Sequence, residues 1–156
     1  MNRDSRLSGV LHVLLHMAEA DGPVTSETLA KIMRTNPVVI RRILAGLRER
    51  GFVNSEKGHG GGWQLVCDLN TVTLHDIYLT LGAPAIFAIG HRSEAPGCLV
   101  EAAVNTVMNQ ALREAEASFL ARLSETTVAE LRPYVRQRLK ERALRRGHSD
   151  AQDMCH

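Results

Sequence analysis

The sequence predicts a mostly α-helical chain with one small β-hairpin. Apolar residues recur at helical spacing along most of the chain, and a glycine-rich turn separates two short strand-like segments. A long helical pattern then occupies much of the C-terminal third. The 156 residues fit one domain of usual size, or a small domain with an appendage, and the hydrophobic share of 44% is sufficient for a buried core.

Composition argues against several classes of protein. Aromatic residues make up only 4% of the chain, too few to favour stacking on single-stranded nucleic acid. The N-terminus does not resemble a secretory signal, and no apolar run approaches the roughly 18 residues of a membrane span. The three cysteines, Cys67, Cys98 and Cys155, are odd in number and widely separated, which favours a reducing compartment over a disulfide framework. We therefore expect a soluble cytoplasmic protein with no membrane partner.

Two helices are predicted in the first part of the chain. Apolar residues recur with helical period from about Arg6 to Ala20, and the turn before Pro23 ends this first helix. Thr25 is a favourable N-cap residue for the second helix. The predicted buried stripe of the second helix consists of Leu29, Ile32 and Met33.

The third helix has the clearest amphipathic pattern. Asn36 and Pro37 predict its start, because Asn caps well and Pro is tolerated at the first helical position, and Gly51 predicts its end. The buried face has the spacing i, i+3, i+4, i+7 and consists of Ile40, Ile43, Leu44 and Leu47. The opposite stripe consists of Val38, Arg41, Arg42 and Ala45.

A basic hairpin follows. Two strands are predicted over Phe52–Lys57 and Trp63–Cys67, joined by the loop Gly58–Gly62. From Lys31 to Lys57 there are seven Lys and Arg against two Glu, although the net charge of the whole chain is only +2. A basic helix–turn–helix with a glycine-tipped hairpin is a shape that reads duplex DNA, so double-stranded DNA is the predicted partner.

The third helix supplies the predicted base contacts. Arg41 and Arg42 are long side chains that can contact guanine bidentately, and the small residues Val38 and Ala45 on the same face allow the helix to enter the major groove. Thr35 and Asn36, at the helix N-terminus, are placed to hold a phosphate. The predicted contacts of the hairpin loop come from Lys57, His59, Gly60 and Gly61. Any one arginine alone is more simply a surface charge, but the combination is specific.

The remaining chain is predicted to be a helix, a loop and a long helix. Thr73 and Asp76 form a candidate capping box for a helix that ends at Gly82. From Cys98 to Ser124 a helix of roughly 40 Å is expected at 1.5 Å per residue. Its apolar stripe consists of Leu99, Val100, Ala103, Val104, Val107, Met108, Ala111, Leu112, Ala115 and Phe119. A second copy of the chain is the expected partner of this stripe, and packing on the first helix of the same chain is the alternative.

The C-terminal region is predicted to be helical and basic. Thr127 and Glu130 suggest another capping box, and Pro133 is expected to break or restart the helix. The basic residues are Arg132, Arg136, Arg138, Lys140, Arg142, Arg145 and Arg146. A solvated helix face is favoured over a second DNA contact.

These motifs resemble the Rrf2 family of winged helix–turn–helix regulators, relatives of the iron–sulfur regulator IscR and the nitric-oxide sensor NsrR. The YwnA-like branch is the most similar. The resemblance is carried by Thr35–Leu44, Gly58–Leu65, Thr73–Tyr78 and Thr126–Leu131. It implies a homodimer that binds a partly palindromic operator, most often as a repressor, with Lys57 entering the minor groove.

The resemblance also implies a division of the chain. Residues 1–82 would be the winged helix–turn–helix DNA-binding domain, and 83–97 a connecting loop or effector region. Residues 98–146 would contain the dimerisation helix, from Cys98 to Ser124, and the basic helical region. The last residues, 147–156, are expected to form a disordered tail.

Sensing is the open question. Iron–sulfur members of the family use three cysteines between the wing and the long helix, where this chain has only Cys98, so we expect neither metal nor cofactor. A metal or cluster site that uses His12 and Cys98, with His16 four residues from His12, is the alternative. A regulator with no effector of its own is a further possibility.

Cys98 is the candidate redox sensor. It lies at the predicted start of the long helix, where aligned N–H groups favour a thiolate. Family members that sense hypochlorite or electrophiles use a cysteine that looks equivalent. A small buried structural residue is the alternative interpretation. We expect no enzyme, because no Asp or Asn partner or oxyanion-forming motif accompanies this cysteine.

Overall fold

The helical prediction is confirmed. A computed structural model describes residues 5–90, 97–138 and 140–141. In chain order the elements are α1 (Arg6–Ala18), α2 (Ser26–Met33), α3 (Pro37–Glu49), β1 (Val53–Glu56), β2 (Gly62–Leu65), α4 (Leu74–Thr80) and α5 (Leu99–Glu125). A short 3-10 helix, Ala129–Leu131, leads into helical residues 132–138 and 140–141. None of the helices within these described ranges has the length and hydropathy of a membrane span.

One hydrophobic core joins the N-terminal elements. The largest side chains that are fully buried in it are Val10, Val13, Leu14, Leu29, Ile40, Leu44, Leu47, Val53, Ile77 and Val128. They come from α1 to α4, from β1 and from the segment directly after α5, which returns to the core through Val128. The two strands form an antiparallel sheet in which Val53 pairs with Leu65 and Glu56 with Gly62.

Predicted helix caps account for most helix starts. The side-chain oxygen of Thr25 accepts a hydrogen bond from the Thr28 N–H at the start of α2. At α4 the Thr73 hydroxyl oxygen accepts from the Asp76 N–H, while the Asp76 carboxylate accepts from the Thr73 N–H, which is the expected capping box. Such caps use local side chains, so they are readable from sequence.

Three local predictions are wrong. Helix α1 ends at Ala18, two residues earlier than expected. Ile32 on α2 is 43% exposed, because Ala30 faces the core in its place. Thr127 caps no helix; the 3-10 helix has Val128 at its N-cap, and Thr127 forms an isolated β-bridge with Thr73 that connects the two ends of the α4–α5 region.

The basic C-terminal segment docks on α1 instead of presenting only a solvated face. Arg132 donates from Nε to the Glu19 carboxylate over 2.8 Å, and Arg136 lies 3.5 Å from the same carboxylate. Arg132 also reaches the Ala18 carbonyl, one of the terminal acceptors of α1. The predicted basic residues Arg142, Arg145 and Arg146, the tail 147–156 and Cys155 lie outside the described residues.

Candidate nucleic-acid interface

Burial orients α3 as a two-faced helix. Ile40, Leu44 and Leu47 have no exposed surface, whereas Val38 on the other side is 56% exposed. The helix begins as predicted, because the Asn36 Oδ1 accepts from the Val38 N–H over 2.8 Å. The Asn36 side chain therefore acts as a cap, and its exposed position leaves its amide NH₂ on the surface.

The two arginines of α3 are exposed but differ in their contacts. The Nη2 of Arg41 donates to the Glu27 Oε1 over 2.7 Å, and both side chains are more than half exposed. This hydrogen bond is the largest cause that lowers the pKa of Glu27 below its usual value. Arg42 has no ion pair with any residue in the described ranges. Glu27 lies on another helix, and no sequence spacing links it to Arg41.

The turn between α2 and α3 is tight. Arg34 adopts a left-handed conformation with φ of 52°, and its N–H points to the last carbonyls of α2. The Thr35 N–H donates to the Ala30 carbonyl over 2.9 Å, which completes the end of α2. Thr35 itself is exposed next to the start of α3, where it was predicted to contact a phosphate.

The hairpin of β1 and β2 is the wing, and the loop that joins its two strands depends on glycine for steric reasons. A Cβ atom on Gly61 would lie 2.4 Å from the Glu56 carbonyl oxygen, and one on Gly62 would lie 2.9 Å from the Val24 carbonyl oxygen. Gly60 has φ of 77°, a conformation that glycine adopts readily. Gly61 and Gly62 are therefore needed for the hairpin to form. This steric requirement is independent of any contact that the loop makes with DNA.

Lys57 and His59 lie at the exposed tip of this hairpin. Lys57 directly follows β1, and His59 lies in the loop between the strands. Both side chains are exposed, so the structure places them where a groove or a phosphate could reach them.

Trp63 attaches the wing to the helix–turn–helix. Its indole N–H donates to the Ser26 hydroxyl over 3.0 Å, at the first residue of α2. Its backbone forms a β-bridge with Val24, with both hydrogen bonds at 2.9 Å. The Arg48 guanidinium of α3 lies 5.8 Å from the indole ring, within cation–π range. One residue thus connects the wing to α2 and α3, which fixes the wing relative to the exposed face of α3.

Cys98 is the N-cap residue of α5 and is exposed. Its sulfur makes no capping hydrogen bond. Interaction with the backbone N–H groups of Glu101 and Val100 nevertheless lowers the pKa of the Cys98 thiol below its usual value. Cys67, by contrast, is partly buried against the core, and burial raises its pKa.

The histidine pair of α1 is close in space. The Nε2 atoms of His12 and His16 are 3.0 Å apart. His16 is partly buried, and desolvation followed by the charge of His12 lowers its pKa. It also lines an open cavity of about 340 Å³ beside α2. Among the described residues, no group of three or more His, Cys, Asp or Glu is arranged to hold a metal ion.

Together, a capped basic helix with an exposed outer face and a hairpin attached to its side define a winged helix–turn–helix DNA-binding protein. A family model described as "Rrf2: Iron-dependent Transcriptional regulator" matches residues 3–133. The chain belongs to the Rrf2 family of transcriptional regulators, which confirms the resemblance and the prediction that it is not an enzyme.

Similar proteins agree with this assignment. "Putative HTH-type transcriptional regulator YffB" of Lactococcus lactis is 26% identical over 76% of this chain and 81% of its own length. "Putative HTH-type transcriptional regulator YwnA" of Bacillus subtilis is 28% identical over 69% of this chain and 79% of its own. A solved "putative transcriptional regulator" from Lactobacillus plantarum has a TM-score of 0.71 and 28% identity, over 86% of this chain and 91% of that one.

The iron in the family description does not fit the cysteines of this chain. Of the three cysteines in the sequence, Cys67 and the exposed Cys98 lie between the end of β2 and the start of α5, and Cys155 lies outside the described residues. Cys67 is packed against the core, where a raised pKa disfavours the thiolate that iron requires. Within the described part of the chain, the cysteines of one subunit therefore do not supply the thiolates of such a cluster.

Proposed function

We propose that this protein is a homodimeric, sequence-specific repressor that binds a partly palindromic DNA operator. The observation that carries the proposal is the two-faced helix α3: Ile40, Leu44 and Leu47 on its core side are fully buried, and its other side exposes Arg41 and Arg42. In this proposal both arginines contact base edges in the major groove. Lys57 enters the minor groove, and Thr35 and Asn36 hold the phosphate backbone.

The dimer is proposed to form through α5. Its outward apolar side chains are strongly exposed in the single chain: Leu99 is 89%, Val100 72%, Val104 55% and Val107 69% exposed. Packing on the chain's own first helix would have covered them. Exposed apolar stripes of this length mark protein interfaces, and a second copy supplies an identical stripe.

DNA binding can be tested with the full chain. Selection from random duplexes should yield a preferred site, and gel shifts on that site then measure affinity. We expect the Arg41→Ala, Arg42→Ala double variant to lose at least thirtyfold in affinity for it, because two base contacts of about 1–3 kcal/mol each are removed. Arg113→Ala, on exposed α5, is the control for loss of charge. Intact site preference in the double variant would contradict the assignment of α3.

Cys98 is proposed to make the regulator responsive to thiol-reactive oxidants. An oxidant such as diamide would take two electrons and two protons from two thiols, and an S–S bond would form between the subunits or with a small thiol. Exposure and a lowered pKa support this role for Cys98 over Cys67.

The matched variants are Cys98→Ser and Cys67→Ser. We expect Cys98→Ser to bind the selected duplex normally but to remain bound in the presence of diamide or hypochlorite. Cys67→Ser should still be released. Release of Cys98→Ser at the wild-type oxidant concentration would remove the sensor role and leave a regulator without a thiol effector. The cytoplasmic location remains a prediction.

A further inference from the structure

We infer that Glu27 is a positioning residue that gives Arg41 its base preference. The inference rests on the proposed function, in which Arg41 contacts a base. It adds a residue outside the recognition helix to the determinants of DNA sequence, and it assigns different roles to two adjacent arginines.

The geometry is that of an oriented charge pair. The Glu27 carboxylate accepts from Nη2 of Arg41 over 2.7 Å, a short, charge-assisted hydrogen bond. The guanidinium carries further N–H donors, which are sufficient for a bidentate contact with guanine O6 and N7. A carboxylate on one edge of the guanidinium thus limits the directions in which its other edge can point.

The position of Glu27 is itself held by the fold. It lies in the first turn of α2, which begins at the Thr25 cap and is attached to the wing through Ser26 and Trp63. Helices α2 and α3 pack directly on each other. The carboxylate therefore has a fixed origin relative to α3, which a partner on a flexible loop would lack.

Glu27 also influences binding through its charge. Its side chain is 57% exposed, on the same surface as Arg41, so its negative charge opposes DNA phosphates whatever the sequence. Glu27 should thus weaken binding to any duplex while strengthening the preference for a matching base. These two effects act in opposite directions on affinity, but both raise the ratio of specific to non-specific binding.

Arg42 provides an internal comparison. It is adjacent and exposed, but it has no ion pair within the described part of the chain. Its long side chain is not held in one direction before binding, and so it must lose rotamer freedom on the DNA. Substitution of Glu27 should therefore change the base position read by Arg41 and leave the position read by Arg42 unchanged.

The experiment begins with the duplex selected by the full wild-type chain and a shuffled duplex of the same length. Glu27→Gln removes the charge, and Glu27→Asp keeps the charge but shortens the reach. Glu49→Gln removes a matched exposed charge from α3 and serves as the control. Affinities for both duplexes, and for all single-base variants of the site, are measured at several salt concentrations, with circular dichroism as the check of folding.

We expect Glu27→Gln to lower the ratio of specific to shuffled binding by about tenfold, chiefly through tighter binding of the shuffled duplex and lost preference at one base pair. Glu27→Asp should lose the same base preference without tighter shuffled binding, and Glu49→Gln should leave the preference intact. In an Arg41→Ala background Glu27→Gln should change no base preference, whereas in Arg42→Ala it should act as in wild type. An unchanged ratio and base profile in Glu27→Gln would overturn the inference, while failure of the wild-type chain to select any site would instead refute the proposed function.

Discussion

Helices α3 and α5 differ in how far the rest of the chain buries their apolar residues. The 13 residues of α3 include three core side chains with no exposed surface. The 27 residues of α5 include only one buried side chain, Leu123, near the C-terminal end. The rest of the chain buries the apolar face of α3, whereas most of the apolar surface of α5 is exposed to solvent.

The difference extends to the distribution of polarity on α5. The positions that are partly covered by the rest of the chain include the polar residues Asn105, Asn109 and Glu116. Val104 and Val107, in contrast, are more than half exposed. A helix that packed only on its own chain would bury its apolar side and expose its polar side. The exposed apolar side of α5 therefore supports the proposed dimer.

The largest expected effect tests the burial of α3 in the core. Leu44→Ala should lower the free energy of unfolding by about 2–5 kcal/mol, because it leaves a cavity in a fully buried site. Val66→Ala, at a site that is 57% exposed, should change it by less than about 0.5 kcal/mol. Urea unfolding followed by circular dichroism measures both, and equal losses would contradict the core assignment of α3.

The next effect tests whether the exposed apolar stripe of α5 forms the proposed dimer interface. Val104→Glu should raise the dissociation constant of the dimer about a hundredfold, because a carboxylate buried at an apolar interface costs about 3 kcal/mol. Arg113→Glu is the control for an added negative charge, since nine residues rotate about 180° around the helix from Val104 and place this exposed residue on the other side. Sedimentation over a range of concentrations distinguishes them; a Val104→Glu dimer as tight as wild type would exclude this face of α5.

Two glycine substitutions should act in opposite directions. Gly61→Ala should cost about 1–3 kcal/mol, because its Cβ would collide with the Glu56 carbonyl oxygen. Gly46→Ala, within α3 and with no atom within 4 Å of the new Cβ, should stabilise the fold by about 0.5–1 kcal/mol. Thermal unfolding compares the two variants. If both variants lost stability equally, the wing glycine would have no special steric role.

The smallest effect concerns the pH dependence of the N-terminal unit. Burial and the neighbouring His12 lower the pKa of His16 below 6.5 in the folded state, so the unfolded chain binds this proton more readily. The contribution of neutral His16 to stability is therefore complete above pH 6.5 and is lost as pH falls through the folded pKa. With His16→Gln, the free energy of unfolding should fall less steeply as the pH is lowered below 6.5. An unchanged pH profile of that free energy would argue against a contribution from His16.

Local signals account for what could be predicted about the site. The caps at Thr25, Asn36 and Thr73 use side chains within three residues of the groups that they satisfy, so sequence spacing is enough to find them. The apolar face of α3 and the positions of its arginines follow from helical period. The left-handed Arg34 was not foreseen, since that conformation is more typical of glycine.

The contacts that could not be predicted join distant parts of the chain. Ser26 and Trp63 are 37 residues apart, and Glu19 and Arg132 are 113 apart. No periodic pattern links such pairs, because their proximity depends on how the helices pack. The Thr127 error has the same cause, since a local capping motif was replaced by a β-bridge to Thr73.

The sequence by itself determined the order of the helices, the hairpin and the basic outer face of α3, because local propensity, capping and periodicity act over a few residues. Only the tertiary structure decided that Glu27 holds Arg41, that Trp63 attaches the wing, and that the apolar stripe of α5 faces solvent. These features depend on the packing of elements far apart in sequence. Hydrophobic pattern alone indicates that a residue is to be buried, but not against which surface.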